Sequence, residues 1–120
     1  DWLGVEHKIV SYECDGCDFE LKDGLPIPTH HDGTPDTFQI LATAPAALSE
    51  TDNSLALETE ALYGPGSSRQ LRQPGVAVLG IYQRGGTVVT SGCTDWAFGL
   101  KGGDKSVDRI TRNILDRLSK

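Results

Sequence analysis

The clearest pattern along the chain lies at its end. Val107, Ile110, Thr111, Ile114, Leu115 and Leu118 draw one apolar stripe at helical spacing, while Asp108, Arg109, Arg112, Asp116 and Arg117 fall elsewhere. Gly102-Gly103 breaks what precedes, Asp104 or Ser106 can cap the first turn, and Asp108 suits the positive end of the helix dipole. The pattern predicts a helix from Lys105 to Leu118.

Upstream, the apolar runs are shorter and read as strands. His7 to Glu13 is a short apolar stretch running into the turn Cys14-Asp15-Gly16, and Phe38 to Thr43 is predicted to be a buried strand. Val76 to Gln83 and Thr87 to Thr90 flank Arg84-Gly85-Gly86 and predict a strand-turn-strand unit. Leu55 to Tyr63 alternates in a way that suits a strand, although its residues also have good helix propensity; strand is preferred. Asp18 to Asp36 gathers Pro26, Pro28, Gly33 and Pro35 and predicts an irregular excursion with room for a hairpin, and Gly64 to Gly75 reads as a mobile loop. An amphipathic helix must lie on apolar surface, which the β-branched strands supply. The expected fold is therefore α/β, a two-layer or three-layer helix-on-sheet unit closed by the C-terminal helix.

Composition narrows the classes of function. With 120 residues, 38% of them hydrophobic, the chain can form one domain spanning 1–120 with a modest core. A net charge of -6 opposes nucleic acid, whose affinity comes largely from Lys and Arg releasing counterions. No apolar run is long enough to cross a bilayer, and the first residues do not resemble a signal peptide. Three cysteines cannot all pair within the chain, so a reducing, cytoplasmic location is expected. The start at Asp1, with Trp2, Leu3 and Val5 already apolar, reads as the interior of a longer polypeptide.

Three constellations could carry chemistry. Cys14 and Cys17 form a C-x-x-C, with His30, His31 and Cys93 as further zinc ligands. The second half of that site is poor: adjacent histidines on a strand would face opposite ways, so thiols filling turn and core positions are the favoured reading. His30-His31-Asp32 could alternatively supply a base, against the commoner exposed loop histidine. Glu13 and Asp15 end one predicted strand, while Thr94, Asp95 and Trp96 follow another. If those strands are parallel neighbours, the five residues share the edge where open α/β sheets bind ligands. Against this stands packing of Trp96 on the helix and capping of loops by the polar residues. No nucleophile elbow, Walker loop, dinucleotide fingerprint or zincin motif occurs.

Four segments in order carry a resemblance: Ile9 to Gly16, Phe38 to Pro45, Gly85 to Trp96 and Arg109 to Leu115. Together they resemble the C-terminal domain of the large subunit of N,N-dimethylformamidase and its relatives, over most of the chain. The resemblance implies a class I glutamine-amidotransferase-like fold, complete or in part. It also implies a parent amidohydrolase that cleaves N,N-dimethylformamide to dimethylamine and formate with a mononuclear iron held by Tyr, His and Glu.

In that family the iron ligands belong to an earlier part of the subunit, and neither Tyr12, Tyr63, Tyr82 nor the three histidines match them. The implied role is thus a C-terminal domain that is structural or pocket-completing through Asp95 and Trp96. It would be inactive alone, without a cofactor of its own, and would pack on the rest of its parent or on another subunit, with a homo-oligomer left open. A small independent hydrolase using Cys93 or a bound metal is one alternative. Cys93 lacks an evident elbow leading into a helix, which weighs against it. A pure interaction module is the other.

Overall fold

The computed structural model describes residues 14–46, 54–69 and 73–120. The predicted strand at His7–Glu13, and with it Glu13, lies outside them.

Within the Pro-rich excursion the chain forms a regular hairpin, β1 (Phe19–Lys22) and β2 (Leu25–Pro28), paired antiparallel with Lys22 opposite Leu25. Asp23 and Gly24 both take positive φ, 54° and 80°, as the two central residues of a primed turn require. The alternation of a two-residue hairpin makes Lys22–Leu25 and Glu20–Ile27 the hydrogen-bonded pairs. Pro26 and Pro28 then fall where the ring nitrogen faces away from β1 and no ladder bond is lost. The ladder continues through the Thr29 amide, which donates to the Asp18 carbonyl at 3.0 Å.

A three-stranded antiparallel sheet forms the centre, in the order β3 (Gln39–Ala46), β4 (Gly75–Gln83), β5 (Thr87–Thr90). The strand expected at Phe38–Thr43 is present as β3 but is not buried. It lies at one side of the sheet, bulges at Leu41, and alternates between exposed and half-buried residues. Thr37 bridges its entry to the end of β4: its hydroxyl donates to the Gln83 carbonyl and accepts from the Gln83 amide. β4 is the central strand, and the consecutive residues Ala77 to Gly80 are all buried, as expected of a strand covered on both faces. The Phe38 ring lies over Gly80, so that a Cβ there would stand 2.1 Å from it, and the ring also packs against Tyr82 with centroids 6.1 Å apart.

Residues 55–63, read from the sequence as a strand, are helical: α1 spans Ser54–Tyr63. The alternation misleads because the run is mostly Leu, Ala and Glu, which lose little entropy in a helix, and holds only one β-branched residue, Thr59. The described start of the loop after it, residues 64–69, is also more regular than its composition suggests. Ser67–Arg69 forms a 3₁₀ turn that folds back on α1, with Ser67 Oγ bonded to the carbonyls of Thr59 and Gly64. Ser68 is fully buried and its hydroxyl donates to the Glu60 carboxylate at 2.5 Å, so no buried polar atom is left unsatisfied there.

The chain closes with two helices, α2 (Trp96–Lys101) and α3 (Lys105–Leu118). The boundaries of α3 are those predicted, and Asp104 caps it by accepting from the amides of Ser106 and Val107 at 2.9 Å. Val107 is the anchor: it is 1% exposed and lies over Gly99 of α2 so closely that a Cβ there would be 2.9 Å from Val107 Cγ2. The close backbone neighbour of α3 is thus α2, a helix the sequence pattern did not reveal. The fold is mixed α/β, with every strand pair among the described residues antiparallel. Among the described residues, the buried apolar side chains are Ala56, Ala77, Val78, Leu79, Cys93 and Val107. No helix of the described residues is long and apolar enough to cross a membrane.

Candidate functional site

Where β5 ends, Ser91-Gly92-Cys93-Thr94-Asp95 turns into α2, and the segment Cys14–Gly16 lies beside this turn. Cys14 and Cys93 form an antiparallel bridge, with the Asp15 amide donating to the Gly92 carbonyl at 3.0 Å. The Asp15 carbonyl in turn accepts from the Val78 amide of β4 at 2.9 Å, so the segment extends the sheet past the end of β5. Gly92 makes the turn possible: its φ is 71°, and a Cβ would meet the Val78 carbonyl oxygen at 2.3 Å.

Of the five residues expected to share a functional edge, Glu13 lies outside the described residues, while Asp15 follows Cys14 and Thr94 and Asp95 follow Cys93 across the antiparallel bridge. The carboxylates of Asp15 and Asp95 both act on the Cys14 thiol. Asp15 and Thr94 are exposed and Asp95 is half-buried at the start of α2. Trp96 is taken up otherwise. Its indole Nε1 donates to Thr111 Oγ1 at 3.0 Å, and that hydroxyl donates to the Val107 carbonyl at 2.7 Å, so Trp96 ties α2 to α3. This is the packing alternative weighed from the sequence.

Cys93 is separated from the start of α2 by Thr94 and Asp95, so it does not lead directly into the helix. Cys93 is buried, and its bridge partner is the exposed Cys14. The neighbouring Cys14 thiol is pushed up by burial, then by Cys93 and by the carboxylates of Asp15 and Asp95. A nucleophilic cysteine needs the opposite, a cation or base beside it. The described imidazoles are engaged in the loop after β2: His30 Nδ1 is 3.1 Å from the Thr34 carbonyl, and His31 Nδ1 lies 3.6 Å from Asp18 Oδ2.

That loop is organised by Asp32. Its carboxylate accepts from the Thr34 hydroxyl and amide and from the Asp18 amide, and these bonds lower its pKa to about 2. Cys17 stands nearby, its thiol pushed up by burial and by Asp32 and Asp18. The C-x-x-C thus divides: Cys14 pairs with Cys93, while Cys17 belongs to the acidic loop. Among the described residues, no group of three or more His, Cys, Asp or Glu side chains is placed to hold a metal ion. Tyr63 stands at the exposed end of α1 and Tyr82 lies against Phe38. No family model matches the chain, and comparisons with curated proteins and with solved structures likewise found no match.

Proposed function

We propose that this chain is a non-catalytic, C-terminal domain of an N,N-dimethylformamidase-like amidohydrolase of the cytoplasm. It docks through its helices on the rest of that protein, and its glutamine-amidotransferase-like character lies in the strand-turn-helix unit around Cys93. The observation that carries the docking role is the uncovered half of the α3 stripe. α2, with six residues, reaches about 9 Å along a helix of about 21 Å. Val107 is buried and Ile110, Thr111 and Ile114 are half-buried, but Leu115 is 61% exposed and Leu118 43%. Phe98 on α2 is 68% exposed as well. Large exposed apolar side chains at the end of a stripe that is buried or half-buried elsewhere favour a protein surface as their cover.

The pocket-completing part of the role rests on Asp15, Thr94 and Asp95, since Trp96 is committed to Thr111. The test is release of dimethylamine from N,N-dimethylformamide, followed by proton NMR. The isolated chain, supplied with ferrous iron, is expected to release none. The assembled protein is expected to keep its turnover in the Cys93→Ser variant. Turnover by the isolated chain that disappears in Cys93→Ser would remove the docking-domain reading in favour of an independent hydrolase.

A further inference from the structure

Cys14 and Cys93 face each other across the bridge that joins the segment before Cys17 to the turn before α2. The bond from the Asp15 amide to the Gly92 carbonyl makes them a non-hydrogen-bonded pair, the closer of the two antiparallel arrangements. In such a pair the Cα atoms are about 4.5 Å apart and the side chains leave the same face of the ladder. A disulfide needs Cα atoms roughly 4.4 to 6.8 Å apart and Cβ atoms roughly 3.5 to 4.5 Å apart. Both thiols are in the reduced form. Cys14 is exposed and Cys93 is buried, so an oxidant from solvent meets Cys14 first.

We propose that Cys14 and Cys93 form a redox-sensitive pair that closes to a cross-strand disulfide on exchange with a low-molecular-weight disulfide. The Cys14 thiolate attacks one sulfur of that disulfide, forming a mixed disulfide and releasing one small thiolate, which takes up a proton. The Cys93 thiolate then attacks Sγ of Cys14, forming the internal disulfide and releasing the second small thiol. Two protein thiols are oxidised and one external disulfide is reduced to two thiols. The closed loop holds β1 to β5 with α1, and ties the segment of Asp15 to the turn that carries Thr94 and Asp95. Cys17 is outside the bridge and stands instead beside Asp18 and Asp32.

The high thiol pKa of Cys14 is consistent with a pair that stays reduced until the environment turns oxidising, because little thiolate is present at neutral pH. The test is incubation of the full chain with mixtures of reduced and oxidised glutathione, followed by alkylation and peptide mass mapping. The expected product is a Cys14–Cys93 cross-linked peptide with Cys17 alkylated. It should be unchanged in Cys17→Ser and lost in Cys14→Ser, a substitution at an exposed position that leaves the core intact. Oxidation should raise the thermal midpoint by on the order of 10 °C in the wild type and not in Cys14→Ser. A Cys14–Cys17 link, a glutathione adduct persisting on Cys14, or three alkylated thiols under conditions that oxidise ordinary vicinal pairs would each overturn the proposal.

Discussion

Replacing Gly99 by alanine tests the docking of α2 on α3 with a change of sign. The new methyl would lie 2.9 Å from Val107 Cγ2 and 3.2 Å from Cγ1. Valine is stiff about χ1 and Val107 is 1% exposed, so its methyls have nowhere to turn. Overpacking of this kind costs about 1–3 kcal/mol, while replacing glycine by alanine inside a helix recovers about 1 kcal/mol. The net expectation is destabilisation by about 1 kcal/mol. Val107→Ala alone removes two buried methyl groups and should cost about 2–3 kcal/mol. In that background the obstructing methyls are gone, and Gly99→Ala should stabilise by about 1 kcal/mol. The two substitutions are therefore coupled by about 2 kcal/mol, well above the error of additivity for independent sites. Urea unfolding followed by far-UV circular dichroism on the four proteins measures the cycle. Stabilisation by Gly99→Ala of equal size in both backgrounds would show that Val107 does not pack on Gly99.

Gly92→Ala combines a φ of 71° with a Cβ 2.3 Å from a backbone oxygen of β4, and should cost about 3 kcal/mol or more, read as loss of a cooperative thermal transition. Asp104→Ala removes the acceptor for the Ser106 and Val107 amides and should cost about 1 kcal/mol by the same unfolding assay. Asp32 has its carboxyl pKa lowered from 3.8 to about 2, first by the Thr34 hydroxyl and then by the Asp18 and Thr34 amides. A depressed folded-state pKa gives stability that is present above the unfolded value and lost as pH falls from about 4 towards 2. Amide exchange at Asp18 and Thr34 should therefore accelerate in that window, with Asp32→Asn removing the pH dependence. The Cys14 thiol pKa is raised, so its alkylation should speed up continuously as pH rises above neutrality and be faster at a given pH in Asp95→Asn.

The elements legible in the sequence are those in which local and long-range preferences agree. The α3 stripe, the Asp104 cap and the Gly102-Gly103 break all point to one helix. The β4–β5 hairpin is announced by β-branched runs around Gly85, whose φ is 67°. Asp23-Gly24 is an equally specific turn signal, obscured in the sequence by the prolines that the hairpin places at outward-facing positions. Leu55 to Tyr63 shows the reverse: two periodicities fit, and the one with the better backbone propensities forms. α2 escapes notice because six residues interrupted by Gly99 carry no period, and that glycine is there for the contact with Val107. For the site, the expected edge required the strand at His7–Glu13, which lies outside the described residues; what the structure shows beside Asp15 is one antiparallel bridge, Cys14 to Cys93. The cross-strand pairing of Cys14 with Cys93 has no signature in spacing, since partners about 80 residues apart are chosen by topology alone.

The docking role is tested most directly by hydrogen exchange along α3, in the isolated chain and in its assembly with the rest of the proposed amidohydrolase-like protein. The account predicts fast exchange for the amides of the last turn, around Leu115 and Leu118, in the isolated chain, where those side chains are exposed. It predicts strong protection of the same amides in the assembly, with the amides around Val107 and Ile110 slow in both. Exchange at Leu115 and Leu118 that does not change on assembly would contradict it.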